Sequence, residues 1–452
     1  MLHVTLLNTK KMLITSAISL AMSTTALAAV SADEAAKLGK SLTSLGGEMA
    51  ANSSGTIPAW DGKLSGNDRY ADPFANEKPL FTINAANVDQ YKNHLSDGQM
   101  AVLKKYPDTF SMPVYPTHRT ASVPAKINEG TAKNATQANL TSDGNGITGF
   151  VEGIPFPIPQ TGLEVIWNHI TRYRGGSVER TFVQVPVQAN GAYTAVKINE
   201  KMAWPGYLAE GYDEQSDNNI LFYFVQEVQA PARLTGNILL VHETMNQVDQ
   251  PRQAWSYNAG QRRVRLAPQI AYDAPGTATD GQRTTDNLDM FNGAPDRYNW
   301  KLVGKKELYI PYNSFKLADR NLKYSDILQA GHPNPDHLRY ELHRVWEVEA
   351  TLKEGARHVY AKRTFFIDED TWQAAIVDHY DGRGELWRVG EAHEMQFRDA
   401  QTAWIAGEML YDLQSGRYLA SGLTNEEGQG LNFKEVFKHN DFTPQAIRRM
   451  GR

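Results

Sequence analysis

The stretch "HVYAKRTFFIDEDTWQAAIVDHYDGRGELWRVGEAHEMQF", residues 358–397, decides the fold. It holds three runs rich in β-branched and aromatic residues, and two short polar segments separate them, "DED" at 368–370 and "DGRG" at 381–384. Apolar runs of this length bounded by turn residues are typical of strands, and turns this short join antiparallel neighbours. The stretch therefore predicts a three-stranded antiparallel meander.

Strand patterns continue on both sides of this meander, from about residue 180 to residue 421. Short turns separate the runs, which again indicates antiparallel pairing. Two helices, at 161–174 and 335–342, are expected to cover one face. The prediction is an α+β fold with a large, curved, mainly antiparallel sheet wrapped around a few helices. The further strand segments are 180–188, 219–229, 234–244, a hairpin over 252–268 that turns at 258–260, 345–352 and a hairpin over 409–421.

The first 28 residues read as a secretory signal peptide. Lys10 and Lys11 precede an apolar segment at 12–22, and Ala-Leu-Ala follows at 26–28. This apolar segment is too short for a membrane span, so cleavage is expected after Ala28 or the next alanine. The chain has no cysteine, which fits an exported bacterial protein and excludes a lipid-modified cysteine. The expected location is the periplasm, without a transmembrane helix.

Charge argues against nucleic acid as a partner. The chain has 46 basic and 51 acidic residues. Without Lys10 and Lys11 of the signal, 44 basic residues face 51 acidic ones, a net charge of −7. Nucleic-acid-binding domains usually carry a basic surplus.

The segment 29–150 predicts a helical and irregular extension ahead of the sheet domain at 151–452. Ser31 and Glu34 have the spacing of a capping box, and apolar residues then recur at helical spacing as far as Met49. Two further helices are expected, near 85–94 and 97–106.

A proline ribbon opens the sheet domain. In "GIPFPIPQTGLEVIWNH", residues 153–169, three prolines alternate with Ile154, Phe156 and Ile158. Proline forces extended geometry on its neighbours. Thr161 and Glu164 then form a capping box for the helix that follows. The ribbon is either a rigid connector packed into the core or a strip at the mouth of a cavity.

Catalytic and metal-binding motifs are not recognisable. There is no G-x-S-x-G elbow, no phosphate loop and no H-E-x-x-H. The spacing of His332, His337 and His343 does not place them on one helical face. The "DED" segment at 368–370 resembles part of a calcium loop but lacks its glycine and closing glutamate. No cofactor and no metal are therefore predicted, and enzymatic activity has no positive support.

Two features indicate binding. Aromatic residues are frequent on the predicted strands, and a wide sheet with few covering helices is expected to leave an apolar cavity. On a strand, Arg262 shares its face with Val264 and Leu266. Either Arg262 therefore points inward or the apolar pair points outward. An inward arginine needs either a structural acidic partner or an anionic ligand head group.

Several stretches together resemble a family of exported proteobacterial proteins, domain-of-unknown-function family 1329. The resemblance implies the fold of the LolA/LolB-like lipoprotein-sorting proteins, an open half-barrel that shelters acyl chains. It also implies envelope traffic in company with an outer-membrane barrel protein and a resistance-nodulation-division-type exporter. The stretches are "PFPIPQTGLEVIWNH", "YNAGQRRVRLAP", "ELYIPYNS", "HRVWEVEATL", "RTFFIDEDTWQ", "YDGRGELWRV" and "DFTPQAIRRMGR".

The combined expectation is a periplasmic protein that binds or carries a lipid-like or other hydrophobic molecule. A hydrolase acting on a hydrophobic substrate, and an adaptor docking on an outer-membrane barrel, remain alternatives. The residues expected to line the hydrophobic cavity are Ile154, Phe156, Ile158, Trp167, Ile170, Trp255, Tyr257, Arg262, Trp346, Phe365, Trp372 and Trp387.

Overall fold

The computed structural model describes residues 29–62, 64, 68–267 and 272–451. The predicted signal peptide lies outside the described residues. In the part of the chain that the structure describes, the fold consists of eighteen strands and seven α-helices.

Sixteen of the strands form a single sheet, and β3 and β4 form a separate two-stranded ribbon. The strands are β1 Phe81–Ile83, β2 Met112–Val114, β3 Asn139–Leu140, β4 Ile147–Thr148, β5 Ser177–Val187, β6 Val196–Ala203, β7 Ile220–Ala230, β8 Ile238–Thr244, β9 Gln253–Asn258, β10 Arg263–Leu266, β11 Tyr298–Pro311, β12 Tyr340–Leu352, β13 Lys362–Asp368, β14 Ala374–Tyr380, β15 Leu386–Phe397, β16 Thr402–Asp412, β17 Tyr418–Leu423 and β18 Leu431–Asn432.

The helices are short and few. They are α1 Ala32–Ala35, α2 Asp97–Lys105, α3 Ala125–Gln137, α4 Gly162–Thr171, α5 Glu214–Asp217, α6 Tyr324–Ile327 and α7 Pro444–Met450. Single turns of 3₁₀ helix occur between them, at Val88–Gln90, Lys92–His94, Pro205–Tyr207, Pro295–Arg297, Pro335–His337 and His439–Phe442, with a longer 3₁₀ segment at Thr285–Met290.

The sheet is open and almost wholly antiparallel, as predicted. Its main path runs β1-β2-β12-β13-β14-β15-β16-β17-β5-β6-β7-β8-β9-β10, with β11 on β12 and β18 on β5. Only the contact between β2 and β12 is parallel in the described sheet. The meander predicted for residues 358–397 is confirmed as β13, β14 and β15, which pair in succession.

Helix α4 lies against the inner face of the sheet and begins at the predicted capping box. Thr161 Oγ1 accepts a hydrogen bond from the backbone N–H of Glu164 at 3.2 Å, and Glu164 Oε2 accepts from that of Thr161 at 3.0 Å. The helix packs against β11 and β12, and Trp167 is 1% exposed. Because nearly every side chain of α4 is buried, the helix fills the concave side of the sheet where it lies.

The segment before residue 151 packs as part of this core. It supplies β1 and β2 to the sheet edge. Gly46 lies so close to the proline ribbon that an added Cβ would stand 1.9 Å from the carbonyl oxygen of Pro157, and its φ is +100°. Glycine is therefore required at this contact. The domain boundary at 150 stays a prediction.

Three helix predictions are wrong. The helix expected near 85–94 is two single 3₁₀ turns, Val88–Gln90 and Lys92–His94. The first helix stops at Ala35 instead of reaching Met49, because the chain turns at Gly39 and Gly46, both of which have positive φ. Residues 335–342 form a 3₁₀ turn at Pro335–His337 and then enter β12. Pairing of residues 340–342 with the end of β11 overrides the local helical preference there.

Within the described ranges, none of the helices is both long and apolar enough to cross a lipid bilayer.

Candidate functional site: an aromatic cleft beside the proline ribbon

A cleft of about 660 Å³ lies where the start of α3, the lead-in to the proline ribbon and the end of α4 meet the start of β7. The turn after β6 and the segment around α5 close its other side. The cleft opens to solvent at Val151 and Tyr212, which are 90% and 55% exposed. Its walls are contributed by separate segments at 126–127, 147–153, 171–176, 204–207, 212–221 and 245.

Aromatic side chains form the walls. Phe150, Tyr173, Trp204 and Tyr207 all line the cleft and are half-buried. The rings of Tyr173 and Tyr207 lie 6.0 Å apart between centroids and are tilted by 42°. Such walls offer flat apolar surface together with hydroxyl groups at their edges.

Gly176 allows the wall to form. It follows α4 with φ +80°, and an added Cβ would lie 2.2 Å from Cδ1 of Tyr207. Only glycine lets the chain turn from α4 into β5 this close to the tyrosine ring.

One edge of the cleft is polar. Lys126 Nζ stands 3.9 Å above the centroid of the Tyr207 ring and 3.4 Å from Glu152 Oε2. The Tyr207 hydroxyl donates to the same Glu152 oxygen at 3.1 Å. Burial, with Glu152 nearby, raises the pKa of Tyr173 to about 12. The tyrosines therefore stay neutral and can donate hydrogen bonds at any physiological pH.

Arginine side chains form the inner end. Arg174 Nη1 donates to Asp289 Oδ2 at 2.6 Å, and Arg172 Nη2 donates to the same carboxylate at 2.8 Å. Burial would raise the pKa of Asp289, but the two arginines lower it well below its usual range. Burial lowers the pKa of Arg174 to about 10. Its Nε is buried and has no hydrogen-bond partner among the described residues.

Most of the residues predicted from sequence lie in the packed core instead of in the cleft. Ile154, Phe156, Trp167, Ile170, Phe365 and Trp372 belong to one buried cluster, and Trp346 packs against it. Ile158 is half-buried. None of them lines the cleft. Their contact with a ligand stays a prediction.

The proline ribbon is a packed connector. Asn168 of α4 accepts a hydrogen bond from the N–H of Phe156 at 2.9 Å and donates to the Phe156 carbonyl at 2.7 Å. Thr131 of α3 accepts from the N–H of Ile154 at 3.0 Å. The ribbon thus joins α3 to α4, and only its lead-in, residues 150–153, lines the cleft.

The remaining predicted residues lie far apart. Tyr257 is buried beneath α7, where its hydroxyl donates to the carbonyl of Gly451 at 2.6 Å, and Trp255 packs beside it. Trp387 is half-buried and donates to Asp412 Oδ2 at 3.1 Å. Of the two alternatives for Arg262, the structure shows the outward one, since Arg262 lies exposed in the turn before β10 with φ +52° and Leu266 is also exposed.

The sequence pattern missed the cleft because its lining comes from loops and element ends. Two segments could have indicated it, because they place aromatic residues close to glycine outside the regular strand pattern. They are "WPGY" at 204–207 and "ITGFVEG" at 147–153. Among the described residues, the lining includes neither serine nor histidine. Close carboxylates or a serine–histidine pair would favour the hydrolase alternative. The described lining lacks the pair, whereas the carboxylates of Glu152, Glu214 and Asp217 belong to it.

Comparison with known proteins gives a family match. The model of the family described as "Protein of unknown function (DUF1329)" matches residues 82–448. An uncharacterized protein of Pseudomonas aeruginosa is 59% identical over 451 residues, which cover 98% of this chain and 99% of that protein.

Three of the solved structures to which this chain is similar come from different bacteria. A putative outer membrane lipoprotein-sorting protein domain from Vibrio parahaemolyticus is 13% identical, with a TM-score of 0.43 over 63% of this chain and 97% of that one. A DUF1329 protein from Desulfovibrio piger is 13% identical, with a TM-score of 0.42 over 63% and 95%. A LolA superfamily protein from Nitrosomonas europaea is 11% identical, with a TM-score of 0.37 over 63% and 98%.

Proposed function

Since the chain belongs to the DUF1329 family of proteins of unknown function, we propose that its function is to bind a lipid-like or other hydrophobic molecule in the aromatic cleft. The observation that supports this proposal most directly is the cleft itself, whose volume of about 660 Å³ is within the range of small-molecule sites.

The lining suits an amphiphile. Apolar portions of a ligand would contact Phe150, Trp204 and the tyrosine rings. Burying apolar surface stabilises a complex by about 25 cal/mol per Å², so an acyl chain of ordinary length supplies on the order of 10 kcal/mol before association costs. A polar group of the ligand would accept a hydrogen bond from Arg174 Nε at the inner end.

We place this binding in the cell envelope, with a carrier role. The predicted signal peptide and the absence of cysteine favour the periplasm. Carrying a hydrophobic molecule needs no covalent step, only reversible exchange of buried apolar surface. The proposed partners remain an outer-membrane barrel protein and a resistance-nodulation-division-type exporter. The alternative function is that of an adaptor docking on the barrel.

Filling the cleft tests this function. Gly206 lines the cleft, and an added Cβ there meets no atom within 4 Å. Gly206→Trp should therefore occupy the cleft without straining the fold. We expect it to weaken binding of a fluorescent C16 fatty acid at least tenfold, which corresponds to about 1.4 kcal/mol. Fluorescence titration measures the affinity.

Gly428→Trp is the matched control, because an added Cβ at Gly428 also meets no atom within 4 Å and this residue lies outside the cleft lining. It should bind the probe as the wild type does. Equal affinity of the wild type and Gly206→Trp, or no binding by the wild type, would exclude the cleft as the site. Native mass spectrometry of protein purified from its periplasm would identify the natural ligand.

A further inference from the structure

A second group of polar residues lies outside the cleft, where β12 meets the turn between β13 and β14. His343, Asp368 and Asp370 are all buried there. Each offers one ligand atom, and the three atoms lie within 4.8 Å of one another. In the sequence, His343 and the segment at 368–370 are separate candidates for metal ligands, and no local pattern brings them together because Asp368 comes twenty-five residues after His343.

The imidazole of His343 is oriented by a carboxylate. Its Nε2 lies 3.2 Å from Glu341 Oε2, and Glu341 is itself held by Arg339 Nε at 2.6 Å. A histidine that donates through Nε2 presents the lone pair of Nδ1 on its other side. Nδ1 faces Asp368 Oδ1 at 3.8 Å.

Asp368 is held equally firmly. Its Oδ2 accepts hydrogen bonds from the N–H groups of Asp370 and Thr371, at 3.1 and 2.8 Å, and from the Thr371 hydroxyl at 2.9 Å. Its Oδ1 is buried and has no hydrogen-bond partner among the described residues. A fixed acceptor therefore points at a second acceptor, Nδ1 of His343, and the gap between them needs a proton or a cation.

Tyr312 lies beside the same histidine. Its ring stacks on His343 with 3.9 Å between centroids. Its hydroxyl is buried and, among the described residues, has no hydrogen-bond partner either. Burial raises the pKa of Tyr312, and the acidic groups Asp368 and Glu394 raise it further.

The local charge leaves two buried carboxylates that require either a proton or a cation. Arg119 binds Asp370 at 2.7 Å and Glu369 at 3.2 Å, and Arg344 and Lys305 also pair with Glu369. These cations leave Asp368 and Glu394 without an arginine or lysine ion pair among the described residues. Two buried carboxylates close to each other are costly unless positive charge compensates them.

We propose that His343, Asp368 and Asp370 bind one divalent transition-metal ion, of the Zn²⁺ or Mn²⁺ class. One imidazole nitrogen with carboxylate oxygens suits these ions, whereas Ca²⁺ takes oxygen ligands only. Ligand atoms within 4.8 Å of one another need to move by less than about 1 Å to reach metal–ligand distances of about 2.0–2.2 Å. Glu341 is a positioning residue in this arrangement.

The remaining geometry is compatible with such an ion. Arg119 donates to both Asp370 oxygens, from Nε at 2.8 Å and from Nη2 at 2.7 Å. A carboxylate has about four lone-pair positions, so the ion would share one of these oxygens with Arg119. Asp370 also lines a cavity of about 160 Å³ beside Trp60 and Gly62, which gives a hydrated ion a route toward the group. Neighbouring residues hold Asp368 and His343 in place by hydrogen bonds, and metal ligands are usually held by neighbouring residues in the same way.

The test uses the full chain, freed of metal with a chelator and then titrated separately with Zn²⁺, Mn²⁺ and Ca²⁺. We expect about one Zn²⁺ or Mn²⁺ per chain by elemental analysis after desalting, a higher Tm with either ion, and neither effect with Ca²⁺. His343→Gln and Asp368→Asn should each lose the bound ion and the Tm shift. Glu341→Gln should keep the site and weaken its affinity by about 10–100-fold.

His332→Gln is the matched control. His332 is also fully buried, and its two ring nitrogens contact the Pro333 carbonyl and the Thr109 hydroxyl at 2.8 Å. This variant should bind the ion as the wild type does. Wild-type protein that retains no ion would overturn the proposal and assign a proton to the gap. Unchanged binding by folded His343→Gln and Asp368→Asn would also overturn it. Gly206→Trp should leave ion binding intact, so this test is independent of the cleft.

Discussion

Trp372 is predicted from the sequence to line a hydrophobic cavity, and in the structure it connects two parts of the core. It lies in the turn between β13 and β14 with φ +61° and is 0% exposed. Its indole N–H donates to the carbonyl of Leu45 at 2.8 Å, and its ring stacks on Trp346 with 6.2 Å between centroids. One side chain thus ties the segment before residue 151 to the meander.

Trp372→Ala should lower the free energy of unfolding by about 3–5 kcal/mol, because it opens a large cavity and leaves the Leu45 carbonyl without a donor. Urea denaturation followed by far-UV circular dichroism measures the loss. Trp387→Ala is the comparison, since the Trp387 indole is only half-buried and a smaller loss is expected. Equal losses in the two variants would contradict the anchor role.

Among the elements, α2 is held by a carboxylate from the neighbouring strand. Asp378 of β14 accepts hydrogen bonds from the hydroxyl of Ser96 and from the N–H of Gly98, both at 3.0 Å. Ser96 is the N-cap of α2, and its capping box with Gln99 is present as the sequence predicts. Burial raises the pKa of Asp378 to about 7. The helix start therefore contains a group whose protonation differs between the folded and unfolded chains.

This difference makes stability depend on pH. The ordinary pKa of 3.8 applies to Asp378 in the unfolded chain. Between about pH 4 and pH 7 the folded state keeps the proton that the unfolded chain has released, so stability falls as pH rises through this window. Asp378→Asn should remove this contribution, which amounts to at most about 1.4 kcal/mol per pH unit.

Urea denaturation at pH 5 and at pH 7 measures the change. Burial also raises the pKa of Glu394 to about 8 and of Glu408 to about 7, so the variant retains part of the slope. Asp89→Asn is the control, because the Asp89 side chain is largely exposed. A slope identical in the wild type and Asp378→Asn would show that this carboxyl does not titrate as expected.

At the scale of the whole molecule, the segment before residue 151 and the sheet form a common core. This segment contributes β1 and β2 to the sheet, Arg119 to the ion pair with Asp370, and Leu45 to the main buried cluster. Removing it would expose apolar surface on the inner face and leave Asp370 buried without its arginine.

A chain starting at Val151 should therefore fail to fold cooperatively, whereas a chain starting at Ala29 should unfold in one transition. Thermal and urea unfolding, followed by tryptophan fluorescence, compare the two. A soluble chain from Val151 with native-like near-UV circular dichroism and a sharp transition would instead show that the sheet domain is independent, as the sequence boundary predicts.

The sequence by itself determined the elements whose signals are local. The meander at 358–397, the boxes that begin α2 and α4, and α7 with Thr443 as its cap and Pro444 at its first position all follow from neighbours within a few residues. It did not determine where the first helix ends or that residues 338–342 approach and enter β12, because close backbone contacts and strand pairing override local preference there.

Only the tertiary structure decided which residues pack and which surround open space. From the sequence, the strand aromatics could belong to the core or to a ligand site, and Arg262 could point inward or outward. Spacing gives the direction of a side chain and says nothing of what fills the volume it enters. The cleft depends on segments from Lys126 to Met245, and the proposed metal group depends on His343 meeting a turn twenty-five residues later. Both arise from packing between distant parts of the chain, which no local pattern encodes.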